Sequence, residues 1–260
     1  MVTRDTAWPA GTPCWVDVGV ADLPRARAFY GGLFGWNILD GPPETGGYSV
    51  CEISGDPVAG IGPKMGPPDQ PAFWTTYLAS DNADETAARI RAAGGQVLVD
   101  PVDVTDVGRM LMAVDPGGAQ FGVWQAGQHT GVRRANEPGS LIWNENMSRH
   151  YEGNQAFYAA VFGYKFSEVG SAGMPYATLE LDGSVVGGIG EISAGQPAET
   201  TASWGTYFGV ADTDAVVVRV MELGGSLITP PVDSPYGRMA VVRDDQGAAF
   251  AIMSVTSDAQ

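Results

Sequence analysis

Four βαβββ units, paired into two curved mixed sheets that each enclose a concave cup, are what this 260-residue sequence predicts; the class is α+β. Three observations predict it. The chain repeats itself: residues 29–36 (FYGGLFGW) return as 157–164 (FYAAVFGY) and 47–62 return as 175–190, both at a shift of 128. Residues 73–85 return as 203–215 at a shift of 130, and 107–124 return as 236–253 at 129. Four blocks in one order, with offsets drifting by two residues, mark an internal duplication. Each half also restarts a strand–helix–strand pattern midway. One such unit cannot cover both faces of its own sheet, so two units must join and leave the helix-free face hollow.

In order through the first half, a strand over 13–20 precedes a helix over 23–34. Ala26, Phe29, Tyr30 and Leu33 share one face of that helix, and Asp22 stands at its N-cap. Alternating β-rich stretches follow at 47–54 and 58–62, bounded by the turn signals Gly41-Pro42-Pro43 and Ser54-Gly55. The order then restarts with a strand at 74–79 and a helix at 83–93 ended by Gly94-Gly95. Strands at 96–99, 109–114 and 120–125 complete the half, the last two joined by the turn Asp115-Pro116-Gly117-Gly118. The chain thus divides into 1–126, a link at 127–139 carrying Gly127, Gly131, Pro138 and Gly139, and 140–260.

A net charge of −16 argues against nucleic acid or an anionic membrane as partner, since both need a basic surface. Cys14 and Cys51 have no CxxC spacing and read as free buried thiols. No apolar run approaches the ~20 residues of a membrane span, and the N-terminus lacks the basic start and apolar stretch of a signal peptide. A cytoplasmic protein is expected. Its partner would be a small molecule, and its state a monomer or loose homodimer.

The opening of the first half, Val18-x-Val20-x-Asp22 followed by Phe29-Tyr30 and Phe34-Gly35-Trp36, resembles the start of vicinal-oxygen-chelate domains. The closing stretch from Gly108 to Trp124 resembles their final hairpin. The resemblance is to the glyoxalase/bleomycin-resistance/extradiol-dioxygenase superfamily and covers nearly the whole chain, twice. It extends to two-domain actinobacterial members often called hydroxylases or glyoxalase-like antigens. Their linker motif is similar to Trp124-Gln125-Ala126, His129, Gly131, Asn136-Glu137-Pro138-Gly139 and Trp143-Asn144-Glu145. What it implies is tandem glyoxalase-like domains, here at 1–126 and 140–260.

In metal-using members, the resemblance further implies, His, Gln or Glu side chains hold a divalent ion that acts as a Lewis acid with open coordination positions. The places where those ligands would fall are Trp15, Thr75 and Gly122 in the first half, and Trp143, Gly205 and Ala251 in the second. A fourth place falls in the glycine stretches 60–62 and 188–190. None is a good ligand. The chain has only two histidines: His129 belongs to the link and His150 to the loop before a helix, and hydrogen bonding there is their ordinary explanation. No metal and no other cofactor is therefore expected.

Residues two apart on a strand share a face. Trp15 with Asp17, Thr75 with Tyr77, and Gly122 with Trp124 would line one cup; Trp143, Glu145, Tyr207 and Met253 would line the other. Each cup then holds an aromatic wall, one carboxylate and one phenol, with bulk removed at Gly122, Gly205 and Ala251 to admit an organic ligand. Asp17 and Glu145 are candidate acid–base groups beside Tyr77 and Tyr207, with a pKa raised by burial. The ordinary alternative is that each carboxylate satisfies a buried hydrogen bond. Arg109 and Arg238 could clamp an anionic ligand or form structural ion pairs with those two carboxylates, and Trp15, Thr75, Trp124, Trp143 and Met253 would contact the ligand.

Three functions are consistent with this inventory. The first is metal-independent proton-transfer chemistry on a small aromatic or polyketide-like metabolite, of lyase or isomerase type. The second is non-catalytic sequestration of such a compound, as in resistance proteins. The third, for which ligands are wanting, is a metal-dependent dioxygenase or lactoylglutathione lyase.

Overall fold

The computed structural model describes residues 2–41, 45–64, 71–170 and 174–254. The first half contributes β1 (Val2–Thr3), β2 (Pro13–Val20), α1 (Leu23–Phe34), β3 (Asn37–Asp40), β4 (Ser49–Ile53), β5 (Asp56–Pro63), β6 (Phe73–Ala79), α2 (Ala83–Ala92), β7 (Gln96–Val104), β8 (Gly108–Val114) and β9 (Gln120–Ala126). After β10 (Arg134–Ala135) the second half runs β11 (Leu141–Ser148), α3 (Tyr151–Phe162), β12 (Lys165–Glu168), β13 (Tyr176–Leu181), β14 (Ser184–Glu191), β15 (Ser203–Val210), α4 (Thr213–Glu222), β16 (Ser226–Ser234), β17 (Gly237–Arg243) and β18 (Ala249–Ser254). The predicted α+β class and duplicated units are thus present.

Local chemistry sets the helix ends. The Asp22 carboxylate accepts the Arg25 backbone N–H at 3.0 Å, and Gly35 closes α1 in the left-handed region at φ 71°. Asn82 caps α2 by accepting from the Asp84 and Glu85 N–H groups, which would otherwise lack partners in the first turn. The Pro42-Pro43 part of one predicted turn lies outside the described residues. Two elements differ from expectation. β7 continues to Val104 through Pro101, tolerated because it is the edge strand, where an absent N–H breaks no ladder bond. β3 is short and mostly exposed, so it carries no alternation to read.

The first sheet has the order β3-β4-β5-β2-β6-β9-β8-β7, and the second repeats it as β12-β13-β14-β11-β15-β18-β17-β16, extended beyond β11 by β10 and β1. In each, the two units meet at one antiparallel joint, β2/β6 and β11/β15. The strands flanking the joint run parallel to their neighbours, β2 with β5 and β6 with β9 in the first half. Asp17 and Glu145 sit in these joints, where pairing on both sides fixes the backbone.

The helical faces of the two sheets pack on each other, and each of two hydrophobic cores draws on both halves. Phe29, Tyr30, Trp36 and Trp74 share one with Phe208 and Phe250; Leu78, Ile90 and Phe121 share the other with Phe157, Tyr158 and Trp204. Inside each core a buried phenol bonds to an acid of the opposite half. Tyr30 Oη donates to Asp244 at 2.8 Å and accepts from Trp74 Nε1 at 3.1 Å. Tyr158 Oη donates to Asp115 at 2.9 Å and accepts from Trp204 Nε1 at 2.7 Å. Asp115 also accepts from Asn146 and Asn154, at 2.8 and 2.9 Å. These clasps satisfy carboxylates that would be costly to bury alone.

Candidate functional site

In the first half β2 turns Trp15 and Asp17 to the cup. Across the joint Thr75 pairs directly with Asp17, and on the other side Asp17 pairs with Gly60. That glycine decides what happens next. A Cβ built on Gly60 would come within 1.9 Å of Tyr48 Oη, and one on Gly62 within 2.8 Å of the Tyr48 ring. The two bare positions therefore let Tyr48, just before β4, lie across β5 and reach the carboxylate. Its hydroxyl donates to Asp17 Oδ2 at 3.2 Å and accepts from Trp15 Nε1 at 2.8 Å. Tyr77 and Thr75 also donate to Asp17.

Burial of the carboxyl outweighs these three donors and pushes its pKa from 3.8 to about 6. Burial and the adjacent carboxylate together hold the Tyr48 and Tyr77 phenols well above their usual range, so both remain donors at neutral pH. The arrangement is a carboxyl poised to exchange a proton, oriented by hydroxyls that keep theirs.

The second half repeats it with altered parts. Glu145 faces Gly205 across the joint and Gly188 on its other side. Tyr176 Oη donates to Glu145 Oε2 at 2.7 Å and accepts from Trp143 Nε1 at 3.0 Å; Tyr207 Oη donates to Oε1 at 2.6 Å. A Cβ on Gly188 would fall 1.9 Å from Tyr176 Oη. Burial raises Glu145 as well.

The sequence-derived set is thus brought together in part. Trp15, Asp17, Thr75 and Tyr77 converge in one cup, and Trp143, Glu145 and Tyr207 in the other. Tyr48 and Tyr176 were missed. The signal for them was present: a tyrosine 12 residues before a glycine on the strand beside the carboxylate, in both halves. The expectation that Gly122 empties space for a ligand is corrected, because a Cβ there would lie 2.2 Å from the Tyr77 ring, which fills the gap. Gly205 is looser, its nearest neighbour being Glu145 Cγ at 3.5 Å. Ala251 is buried against Tyr207 in the adjoining strand.

Arg109 and Arg238 do not reach the cups. Arg109 pairs with Asp84 of α2 and with Asp103, and Arg238 with Asp214 of α4 and with Asp233, all on the helical side. The alternation of β8 explains it: Met110 and Met112 take the opposite face from Arg109. Trp124 and Met253 occupy corresponding last-strand positions, and Trp124 Nε1 donates to the His129 carbonyl at 2.9 Å. His129 is closer to the chemistry than its place in the link suggested. Its ring meets Trp15 edge-on at 4.3 Å and Trp124 at 5.5 Å between centroids, so the link folds back onto the first cup. His150 occupies the exposed N-cap of α3 without a side-chain capping bond.

Two cavities lie outside the carboxylate centres. One of about 190 Å³ is lined by Trp8, Cys14, Ser80, Trp124 and Thr130 among others; another of about 300 Å³ lies between α2 and α3 with Arg89 on its wall. Neither cavity is lined by Asp17 or Glu145, which sit on the concave faces.

The sequence description of the "Glyoxalase/Bleomycin resistance protein/Dioxygenase superfamily" matches residues 14–123 and, again, 147–252. The chain belongs to that superfamily. Among similar proteins, the "Putative glyoxylase CFP32" of Mycobacterium tuberculosis is 40% identical over 250 residues, 94% of each chain. The "Anthracycline biosynthesis protein DauV" of Streptomyces sp. (strain C5) is 34% identical over 264 residues, 96% of this chain and 95% of its own. The Mn(II)-bound glyoxalase from Novosphingobium aromaticivorans shares the fold at a TM-score of 0.66 and 18% identity, over 95% of this chain and 83% of its own.

That manganese-bound superfamily fold raises the question of a metal here. Among the described residues no three His, Cys, Asp or Glu side chains gather to hold an ion. Each cup offers one carboxylate, flanked by an indole and two phenols that point protons at it. That donor set does not fit a divalent ion held by three side chains.

Proposed function

We propose that this superfamily member is a metal-independent proton-transfer enzyme acting on a small planar aromatic or polyketide-like metabolite bound in its first cup. The observation that carries the proposal is Asp17. A carboxyl with a pKa of about 6 is matched to taking and returning a proton near neutral pH. In the step, the Asp17 carboxylate takes a proton from an acidic C–H or O–H of the bound compound. The pair of electrons stays on the substrate as an enolate or phenolate, and the Asp17 carboxyl then returns the proton to the same or a conjugated atom. Atoms and charge balance without an oxidant. Tyr48, Tyr77 and Thr75 hold the carboxylate in place, and the buried Trp15 and Trp124 rings form an aromatic wall beside it for a planar substrate to pack on.

The kinship with a protein named for anthracycline biosynthesis supports a polycyclic aromatic substrate. The test is solvent-deuterium incorporation into hydroxylated polycyclic ketones, followed by mass spectrometry. Catalysed exchange that collapses in Asp17→Asn is the expected result. Tight binding with no exchange on any compound would replace catalysis by sequestration, the binding role of a resistance-type protein.

A further inference from the structure

Among the described residues the buried side-chain nitrogen and oxygen atoms without a hydrogen-bond partner are Arg27 Nε, Asp245 Oδ1 and His129 Nε2. The first two belong to groups already engaged, Arg27 with Ser49 and Asp40, and Asp245 with Arg25. His129 differs. Its backbone is pinned, the N–H donating to the Val107 carbonyl at 3.0 Å and the carbonyl accepting from Trp124 Nε1 at 2.9 Å. Its ring is wedged against Trp15 and Trp124. Trp15 in turn is bonded to Tyr48, and Tyr48 to Asp17. A fixed imidazole with a buried, unpaired nitrogen, linked to the carboxylate through one indole and one phenol, is a polar group prepared for a partner that the chain does not supply.

Burial lowers this imidazole to a pKa of about 4, so it is neutral at physiological pH. A neutral imidazole offers one N–H and one lone pair. That suits a phenolic hydroxyl or a ketone oxygen, whereas an anion would ask for a charged donor. The feature is also single. His129 comes from the link, which occurs once; the segment at the same offset in the second half, 255–260, reads VTSDAQ and contains no histidine. At the place of Trp124 the second half has Met253.

We propose that His129 is the ligand-contacting histidine of the first cup, its Nε2 hydrogen-bonding a hydroxyl or ketone oxygen of a neutral planar aromatic seated against Trp15 and Trp124, and that the first cup is therefore the selective one. The proposal takes its ligand class from the proposed function but is read by binding and needs no turnover. The chain has two histidines, so the ¹⁵N spectrum of uniformly labelled full-length protein contains two imidazoles, distinguished with His150→Gln.

The probe is 1,8-dihydroxyanthraquinone, followed by quenching of tryptophan fluorescence and by imidazole NMR. At saturation the His129 nitrogens shift and those of His150 do not. His129→Gln, and His129→Phe which keeps a ring between the indoles, bind about tenfold more weakly, the scale of one lost hydrogen bond. Unchanged His150 signals report that both variants are folded. Undiminished affinity in both variants, a His129 signal indifferent to saturation, or no binding by the parent would each overturn it. His129-dependent binding without deuterium exchange would sink catalysis and leave this contact standing.

Discussion

The two cups are built from one plan and finished differently. Each sets an acid in the antiparallel joint, a glycine beside it, and a Trp–Tyr pair across it. In the first, the shorter Asp17 faces Thr75 and a link-borne His129 covers one rim; Trp15, Thr75, Tyr77 and Trp124 are all buried. In the second, the longer Glu145 faces Gly205, Met253 stands for Trp124, and Trp143, Tyr176 and Tyr207 are half-buried. Where the first cup has the Thr75 side chain, the bare Gly205 leaves space beside Glu145, whose Cγ would lie 3.5 Å from a Cβ placed there. The joint and the hydroxyl relay thus tolerate little variation between halves, while the rim tolerates much. Specificity is expected where the halves differ.

The strongest way to break this comparison is to neutralise each acid. Asp17→Asn is expected to lower deuterium exchange by about 10²–10⁴-fold, the range for loss of a general base, while Glu145→Gln leaves most of it. Equal losses would make the cups equivalent.

Protonation offers the next largest effect. The folded state holds the Asp17 proton up to about pH 6, whereas an ordinary carboxyl releases it at 3.8. Between those values the folded chain binds more protons than the unfolded one, so stability contributed by this site falls as pH rises through that window. Wild type should therefore lose about 2–3 kcal/mol relative to Asp17→Asn across it. Urea unfolding at stepped pH checks this, and parallel curves for the two proteins would count against the buried acid. The same sign is expected of Glu145.

Packing gives the third contrast. Gly122→Ala drives a methyl into the Tyr77 ring and should cost about 1–3 kcal/mol, as overpacking does. Gly205→Ala meets only ordinary contact and should change stability by no more than about 0.5 kcal/mol. Equal costs would show that the second cup is as tightly filled as the first. The smallest effect is expected of Tyr48→Phe and Tyr176→Phe. Each removes one donor from a carboxylate, about 1 kcal/mol of stability, and should move that acid's titration further upward, observable by ¹³C NMR of the carboxyl carbon.

Much of this architecture was legible because duplication prints every element twice. The strand at 13–20, the helix at 23–34 with its Asp22 cap, and the Asp17/Glu145 correspondence all follow from offset and period. Tyr48 and Tyr176 were not legible, since they come from just before or at the start of a strand two away from the carboxylate's and depend on which glycine leaves them room. Arg109 and Arg238 misled because the Gly-Arg-Met repeat gives their equivalence but not their side of the sheet; the carboxylates of α2 and α4 decide that. His129 was discounted because a link has no periodicity from which to read a direction.

One joint carries a different kind of consequence. Tyr30 reaches forward to Asp244 and Tyr158 back to Asp115, so each half keeps the other's buried acid supplied with a proton donor. Were the link cut, each half would expose an aromatic face and strand a carboxylate until it met a partner, and that meeting would depend on dilution. Tethering makes it a first-order event with an effective concentration on the order of millimolar. Neither half can then drift in sequence at the joint without penalising its sibling, and the cups, which carry no such mutual debt, are where one copy is free to become something new.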